Sequence, residues 1–151
     1  MPFTCATLKV ETADGRNFSL LESVRYWTFI HGHPELIVMP EGTTSDGGSI
    51  PQECWSLPGF APFGMLWKAY YLHDFLYQGK DPILWTWPRL DCDRILMEAM
   101  ENAGAGGLHR EAIYRCVREF GQEAFDADRK AAYASRVDLK GFGSPLPSPP
   151  S

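Results

Sequence analysis

The first 45 residues of the chain are short apolar segments separated by polar breaks, which is the pattern of β-strands. Residues 24–30 are rich in β-branched and aromatic side chains, and residues 36–39 form another short apolar run. Asp14-Gly15 is a dipeptide typical of hairpin turns. We therefore expect a small antiparallel β-meander of three or four strands in this part of the chain.

The break between two of these candidate strands contains His31 and His33. Two histidines at this spacing could both ligate a metal ion from one face of a strand. Gly32 and Pro34 favour a turn at this position instead, and the turn is the interpretation that we adopt.

The apolar spacing becomes helical beyond residue 64. Residues 46–64 are dense in Gly, Pro, Ser and Thr and predict a long loop. A first helix then ends at Gly79, a second opens at Pro88, and a third extends over residues 108–125. The chain is thus predicted to be α+β, with three helices within residues 65–125 that follow the strands.

The rest of the composition predicts one ordinary globular domain at residues 1–135, followed by a Pro/Ser/Gly-rich tail at residues 136–151. The chain has 14 Lys+Arg against 19 Asp+Glu, and this acidic balance argues against a nucleic-acid partner. No apolar run approaches the roughly 20 residues needed to span a bilayer. The N-terminus does not resemble a secretion signal, so we expect synthesis in a host cytoplasm.

The four cysteines, Cys5, Cys54, Cys92 and Cys116, include no Cys-x-x-Cys pair. This spacing lacks the usual pattern of a zinc or thioredoxin-like site. Without a secretion signal, free thiols are the expected state of all four.

Candidate chemistry begins with His73-Asp74, in the middle of the first predicted helix. A charged Asp in an otherwise apolar, aromatic helix needs a partner or a cation. Asp93 lies 20 residues after His73, on a helix that can fold back antiparallel, so its carboxylate could orient the imidazole.

A third carboxylate, Asp46, lies in the Gly-rich loop, where backbone carbonyls can approach a hard cation such as Ca²⁺. One histidine and three aspartates suit metal-assisted hydrolysis. The alternative is that His73 and Asp74 are a satisfied pair in the core and Asp46 caps a turn.

Four motifs carry a resemblance to known families: Thr-Ser-Asp-Gly-Gly-Ser at 44–49, His-Asp-Phe-Leu-Tyr at 73–77, Asp-Arg-Ile-Leu-Met-Glu-Ala-Met at 93–100 and Tyr-Arg-Cys-Val-Arg-Glu-Phe-Gly at 114–121. In this order they resemble a family of unknown function encoded by phages and prophages. More distantly, they resemble the prokaryotic secreted phospholipase A2 enzymes.

The second resemblance implies a phospholipase A2-like core of three helices and a role for each matching residue. His73 would be the general base for water that attacks an ester carbonyl, and Asp93 would orient its imidazole. Tyr77 and Tyr114 would hydrogen-bond the Asp93 carboxylate.

The same resemblance implies a calcium site made by Asp46, the Gly47 carbonyl and Asp74, with calcium polarising the ester. The likeness has limits, since those enzymes are exported and disulfide-bonded and have no counterpart of the N-terminal strands. An active enzyme would act on host lipid at a membrane surface.

The alternative function is a non-catalytic virion or accessory protein that keeps the scaffold and contacts phage tail or capsid proteins through the C-terminal tail. The virion would then be a second location for the chain.

Two groups of side chains have both a functional and an ordinary explanation. Six aromatic residues flank the proposed site in sequence and could form a lipid-contacting rim or simply pack: Trp55, Phe60, Phe63, Trp67, Trp85 and Trp87. Four basic residues are most simply a solvated helix face: Arg110, Arg115, Arg118 and Lys130.

Overall fold

The computed structural model of the chain describes residues 2–5, 7–46, 50–57, 65–81 and 83–140, with side chains up to residue 136. It is α+β, as expected, and its strands precede its helices. The strands are β1 (Val10–Glu11), β2 (Phe18–Leu20), β3 (Val24–Thr28), β4 (Glu35–Met39) and β5 (Thr44–Ser45), and the helices are α1 (Trp67–Gln78), α2 (Arg89–Asn102), α3 (Gly107–Phe120) and α4 (Gln122–Lys140).

The described strands form two small antiparallel sheets, where the sequence predicts one meander. One sheet has the order β1-β2-β5 and the other pairs β3 with β4. The hydroxyl of Tyr71, on α1, lies 2.6 Å from the carbonyl oxygens of both Phe18 and Thr43. This contact holds β2 and the start of β5 together against α1, and it places Asp46 next to the helix that carries His73.

The β3–β4 hairpin covers the helices with one face. Val24, Tyr26 and Thr28 of β3 are buried and alternate with outward-facing residues. The Tyr26 hydroxyl donates a hydrogen bond of 2.8 Å to Glu98 of α2. The hairpin turn contains Gly32 at φ +82°, so the predicted turn is confirmed in place of a strand that presents two histidine ligands.

Helices α1 and α2 pack antiparallel. The sulfur of Met65, just before α1, is 3.6 Å from a Cβ built at Gly104, just after α2. At the other end, Tyr77 of α1 donates a hydrogen bond to Asp93 in the first half of α2. None of the helices in the described part of the chain combines the length and apolar character that a membrane crossing needs.

The described residues contain four helices, and the prediction of three is wrong. The predicted third helix divides at Gly121, where a Cβ would lie 2.5 Å from the Val117 carbonyl oxygen and 3.1 Å from the Tyr77 hydroxyl. The chain turns there and continues as α4, which packs against α1 through the buried Phe125 and Arg129. Helix α4 also takes in the first five residues of the predicted tail, and residues 141–151 lie outside the described residues.

A disulfide bond joins Cys54 to Cys116, so the expectation of four free thiols is wrong for these two residues. Cys5 and Cys92 are free. The bond ties a short 3₁₀ turn at Gln52–Cys54 to α3 across a sequence separation of 62 residues. A cross-link over such a separation stabilises the fold chiefly by restricting the unfolded chain.

Gly79 ends α1 with its backbone in the left-handed region, at φ +62°. Because a residue with a side chain is strained in this conformation, a substitution there should destabilise the fold. A Cβ there would lie 3.1 Å from Cδ of Arg129, whose side chain is buried and cannot easily move away. We expect Gly79→Ala to lower the free energy of unfolding by about 1–3 kcal/mol, measured by urea denaturation.

Gly107→Ala is the matched control. Gly107 is the first residue of α3, and a Cβ there meets nothing within 4 Å. Its unfolding free energy should stay within about 0.5 kcal/mol of the unsubstituted protein or rise slightly. Equal losses in both variants would contradict the account of Gly79.

Candidate functional site

The centre of the site is a buried histidine–aspartate pair between α1 and α2. His73 Nε2 lies 2.7 Å from Asp93 Oδ1, and neither side chain is exposed to solvent. Tyr77, one turn after His73, donates a hydrogen bond of 2.6 Å to the same carboxylate oxygen. The structure therefore brings together three of the predicted site residues through i,i+4 spacing on α1 and the antiparallel packing of α2.

Two arginines hold the other oxygen of Asp93. Arg118 of α3 donates to Oδ2 at 2.6 Å, and Arg89 of α2 approaches it at 3.4 Å. Arg89 also donates to the carbonyl oxygens of Val117 and Arg118 at the end of α3. The interpretation of Arg118 as part of a solvated face is thus wrong, since its guanidinium reaches inward to a buried carboxylate.

These donors keep Asp93 ionised. Burial alone would raise the pKa of Asp93, but the hydrogen bond from His73, with further bonds from Tyr77 and Arg118, holds the pKa below its ordinary value. Because an ionised carboxylate only accepts, Nε2 of His73 is the protonated nitrogen of the ring. The contribution of Asp93 to folding is present above its unfolded pKa and is lost as the pH falls through the lower folded pKa.

A cavity of about 640 Å³ lies between α4 and the end of α1. Asp46 and Asp74 both line it, so the structure brings together two of the three predicted metal ligands. Gln78 donates hydrogen bonds to Asp74 at 3.2 Å and to the Thr44 carbonyl at 2.9 Å. Through this amide, Asp74 is tied to the strand that leads into Asp46.

A third carboxylate in the cavity, Asp128, was not predicted from the sequence. Burial, with the negative charges of Asp74 and Asp46, raises the pKa of Asp128 to about 6. Asp128 lies on α4 among alanines that also line the cavity: Ala124, Ala127, Ala131 and Ala132. The sequence pattern that indicates Asp128 is an aspartate on an alanine-rich helical face. That pattern is found only when the helical spacing is followed past residue 125.

Two predicted residues, Tyr114 and Gly47, remain to be accounted for. Tyr114 is half-buried on α3 and makes no side-chain hydrogen bond to Asp93, whose further donors in the described part of the chain are the two arginines. Gly47 lies outside the described residues.

Among the aromatic side chains proposed as a rim, Trp55 is half-exposed, Trp67 and Trp87 are partly buried and Trp85 is buried. The other two, Phe60 and Phe63, lie outside the described residues.

Comparison with known proteins places the chain in a family. A family described as a protein of unknown function (DUF1353) matches residues 18–117. The chain belongs to the DUF1353 family. No curated protein and no solved structure matches it.

The residues matched to DUF1353 contain Asp46, His73, Asp74 and Asp93. They end one residue before Arg118 and well before Asp128. In this DUF1353 protein, therefore, a cationic donor to Asp93 and one wall of the cavity come from the chain beyond the matched region.

The raised pKa of Asp128 predicts a pH-dependent gain of stability for Asp128→Asn. The folded pKa of about 6 is above the ordinary value of 3.8, so the carboxyl stabilises the fold below pH 3.8 and this contribution is lost as the pH rises through 6. We expect Asp128→Asn to raise the unfolding free energy at pH 7.5 by about 1 kcal/mol, a figure reduced because solvent screens this half-buried group. Thermal unfolding in EGTA, followed from pH 4 to pH 7.5, measures the difference.

Asp126→Asn is the control, because Asp126 is an exposed carboxylate on the same helix. It should show no gain that grows with pH. A difference between Asp128→Asn and the unsubstituted protein that is the same at pH 4 and pH 7.5 would contradict the account.

Proposed function

We propose that this chain is a phage-encoded, phospholipase A2-like and calcium-dependent hydrolase of ester bonds in host lipid. One observation carries the proposal: along α1, the buried His73 that is paired with Asp93 is followed directly by Asp74, which lines the cavity. A base that is oriented by a carboxylate, next to oxygen ligands for a cation, is the arrangement that metal-assisted ester hydrolysis needs.

In the proposed reaction, the imidazole of His73 takes a proton from water while the water oxygen attacks the ester carbonyl carbon. With Nε2 protonated toward Asp93, the basic lone pair of the neutral ring is on Nδ1. Asp93 stabilises the imidazolium that forms, and Tyr77 keeps the carboxylate in place. The imidazolium then gives its proton to the departing alkoxide as the ester C–O bond breaks.

The cavity residues fit calcium by the chemistry of their donors. Asp46 and Asp74 offer hard carboxylate oxygens, and their negative charges add to burial in raising the pKa of Asp128, a charge effect that a cation would offset. In the described part of the chain no three His, Cys, Asp or Glu side chains group closely enough to hold a metal ion. Backbone and water oxygens would complete the coordination. When bound, calcium would polarise the ester carbonyl and stabilise the negative charge that develops on it.

A second function, a non-catalytic structural or accessory protein of a phage tail or capsid, is favoured by one observation. Both members of the His73–Asp93 pair are fully buried, and Arg89 and Arg118 already neutralise the carboxylate. In this proposal the network only joins α1, α2 and α3, and the C-terminal tail contacts a virion protein.

The two functions differ in what His73→Gln would do. The glutamine amide can still donate to Asp93 but has no basic nitrogen, so the fold should persist while hydrolysis is lost. We expect phospholipid hydrolysis on vesicles, in millimolar calcium, to fall by about 10²–10⁴-fold, the usual contribution of a general base. Fatty-acid release measures the rate, and circular dichroism measures the fold.

Tyr114→Phe is the matched control and should retain full activity, since Tyr114 makes no hydrogen bond to Asp93. An unsubstituted protein that releases no fatty acid from any vesicle would defeat the enzyme proposal and leave the structural one.

Calcium binding gives an independent prediction. An ion that binds only the native state stabilises it by mass action, by about 2.7 kcal/mol at a hundredfold excess over Kd. We expect millimolar CaCl₂ to raise the melting temperature of the unsubstituted protein and of Asp126→Asn, but not of Asp74→Asn. A melting temperature that calcium leaves unchanged in all three proteins would eliminate the proposed metal site.

A further inference from the structure

The β3–β4 sheet has one edge that residues 2–4 cover and one edge that no described residue covers. Residues 2–4 lie along the outer edge of β3, where Thr4 N–H donates to the Arg25 carbonyl and Trp27 N–H donates to the Pro2 carbonyl. The outer edge of β4 has no such partner, since no described residue pairs with it there. A groove of about 440 Å³ that is lined by Val38, Pro40 and Phe75 leaves space beside it.

The hydrogen bonds of β3 identify which groups of β4 face outward. Arg25 and Trp27 direct their backbone groups to residues 2–4, so the alternate residues of β3 pair with β4. Their partners are Met39, Ile37 and Glu35. The N–H and C=O groups of Leu36 and Val38 therefore point away from the sheet, and they make no hydrogen bond to any described residue.

This edge has few of the features that prevent strands from pairing. The sequence of β4, Glu-Leu-Ile-Val-Met, contains no Lys and no Pro, and its pairing with β3 has no bulge. The outer face of the sheet is apolar next to the edge, where Leu36 is 41 % exposed and Trp27, opposite it, is 40 % exposed. An exposed apolar strand of this kind is a template for another strand.

We propose that β4 pairs antiparallel with β4 of a second copy of this chain, around a two-fold axis at Ile37, to form a four-stranded sheet across a homodimer. Leu36 of each copy then lies opposite Val38 of the other and exchanges both backbone hydrogen bonds with it. The outward-facing rows of the two sheets join into one strip, in which Leu36 and Val38 of both copies lie between the Trp27 and Arg25 side chains of the two β3 strands.

The prolines at the ends of β4 select this register. If Leu36 paired with itself, Val38 would face Pro34, and if Val38 paired with itself, Leu36 would face Pro40. Proline has no N–H, so each of these registers leaves a carbonyl of both strands without a donor. The register centred on Ile37 pairs every outward N–H and C=O of Leu36 and Val38.

Charge and composition favour a second copy as the occupant. The register at Ile37 places Glu35 opposite Met39, so that no like charges meet, and it places the exposed imidazole of His33 opposite the carboxylate of Glu41. The chain's own C-terminal residues are a poor alternative strand, because residues 141–151 contain four prolines.

The test is the mass in solution of the full chain and of edge variants, by light scattering after size exclusion from about 1 µM to about 1 mM protein. The unsubstituted protein should reach twice its chain mass of 17.0 kDa. Val38→Pro removes an outward donor from each copy and should weaken dimerisation about tenfold or more. Leu36→Lys places a charge in the joined strip and should give monomer over the whole range.

Leu90→Lys is the matched control, since Leu90 is 45 % exposed but belongs to α2 and not to this sheet. It should dimerise like the unsubstituted protein, and all three variants should keep the circular dichroism of the unsubstituted protein. A chain that is monomeric at about 1 mM, or a dimer that survives both edge substitutions, overturns the proposal. Loss of the dimer in Leu90→Lys as well would also overturn it, because the effect would then not depend on the edge.

Discussion

The helical part of this protein depends on one buried anion. The Asp93 carboxylate is fully buried and accepts from His73 and Tyr77 on one oxygen and from Arg89 and Arg118 on the other. An ionised group in such a place is tolerated only when donors replace its lost hydration. The donors come from α1, α2 and α3, so that satisfying one charge fixes three helices relative to one another. Gly121 serves the same end, because only a residue without a side chain allows the end of α3 to approach Tyr77 and Arg89 so closely.

Two neighbouring rows of side chains on α1 face different parts of the site. His73 and Tyr77, four residues apart, face α2 and the buried anion, whereas Asp74 and Gln78, one position further along, face β5 and the cavity. Neighbouring rows of side chains on a helix are about 100° apart, so one helix can carry the histidine of the buried pair and a carboxylate of the cavity side by side. The His-Asp dipeptide is therefore informative, since it marks the boundary between a buried polar network and an acidic cavity.

The sequence predicted the parts of this arrangement that depend on local spacing. The helical period placed His73 and Tyr77 on one face, and a loop of suitable length let Asp93 return to them. The partners that come from distant segments of the chain could not be predicted from local spacing. Arg118 looks like any solvated arginine until α3 is docked, and Cys54 and Cys116 acquire their relation only when the 3₁₀ turn meets α3. The two sheets differ from one meander for the same reason, since Tyr71 of α1 joins β2 to β5.

Helix α4, which the sequence does not predict as a separate helix, carries charged residues that bear on the site. Arg129 is buried on it, donates to the Leu76 carbonyl and stacks on Phe125, and burial lowers the pKa of its guanidinium. Asp128, the preceding residue, lines the cavity, where burial and the negative charges of Asp74 and Asp46 raise the pKa of its carboxyl group. A charged pair adjacent in sequence is thus divided between the core and the cavity. The wall that carries Asp128 is consequently held in place by a buried cation on a neighbouring face of the same helix.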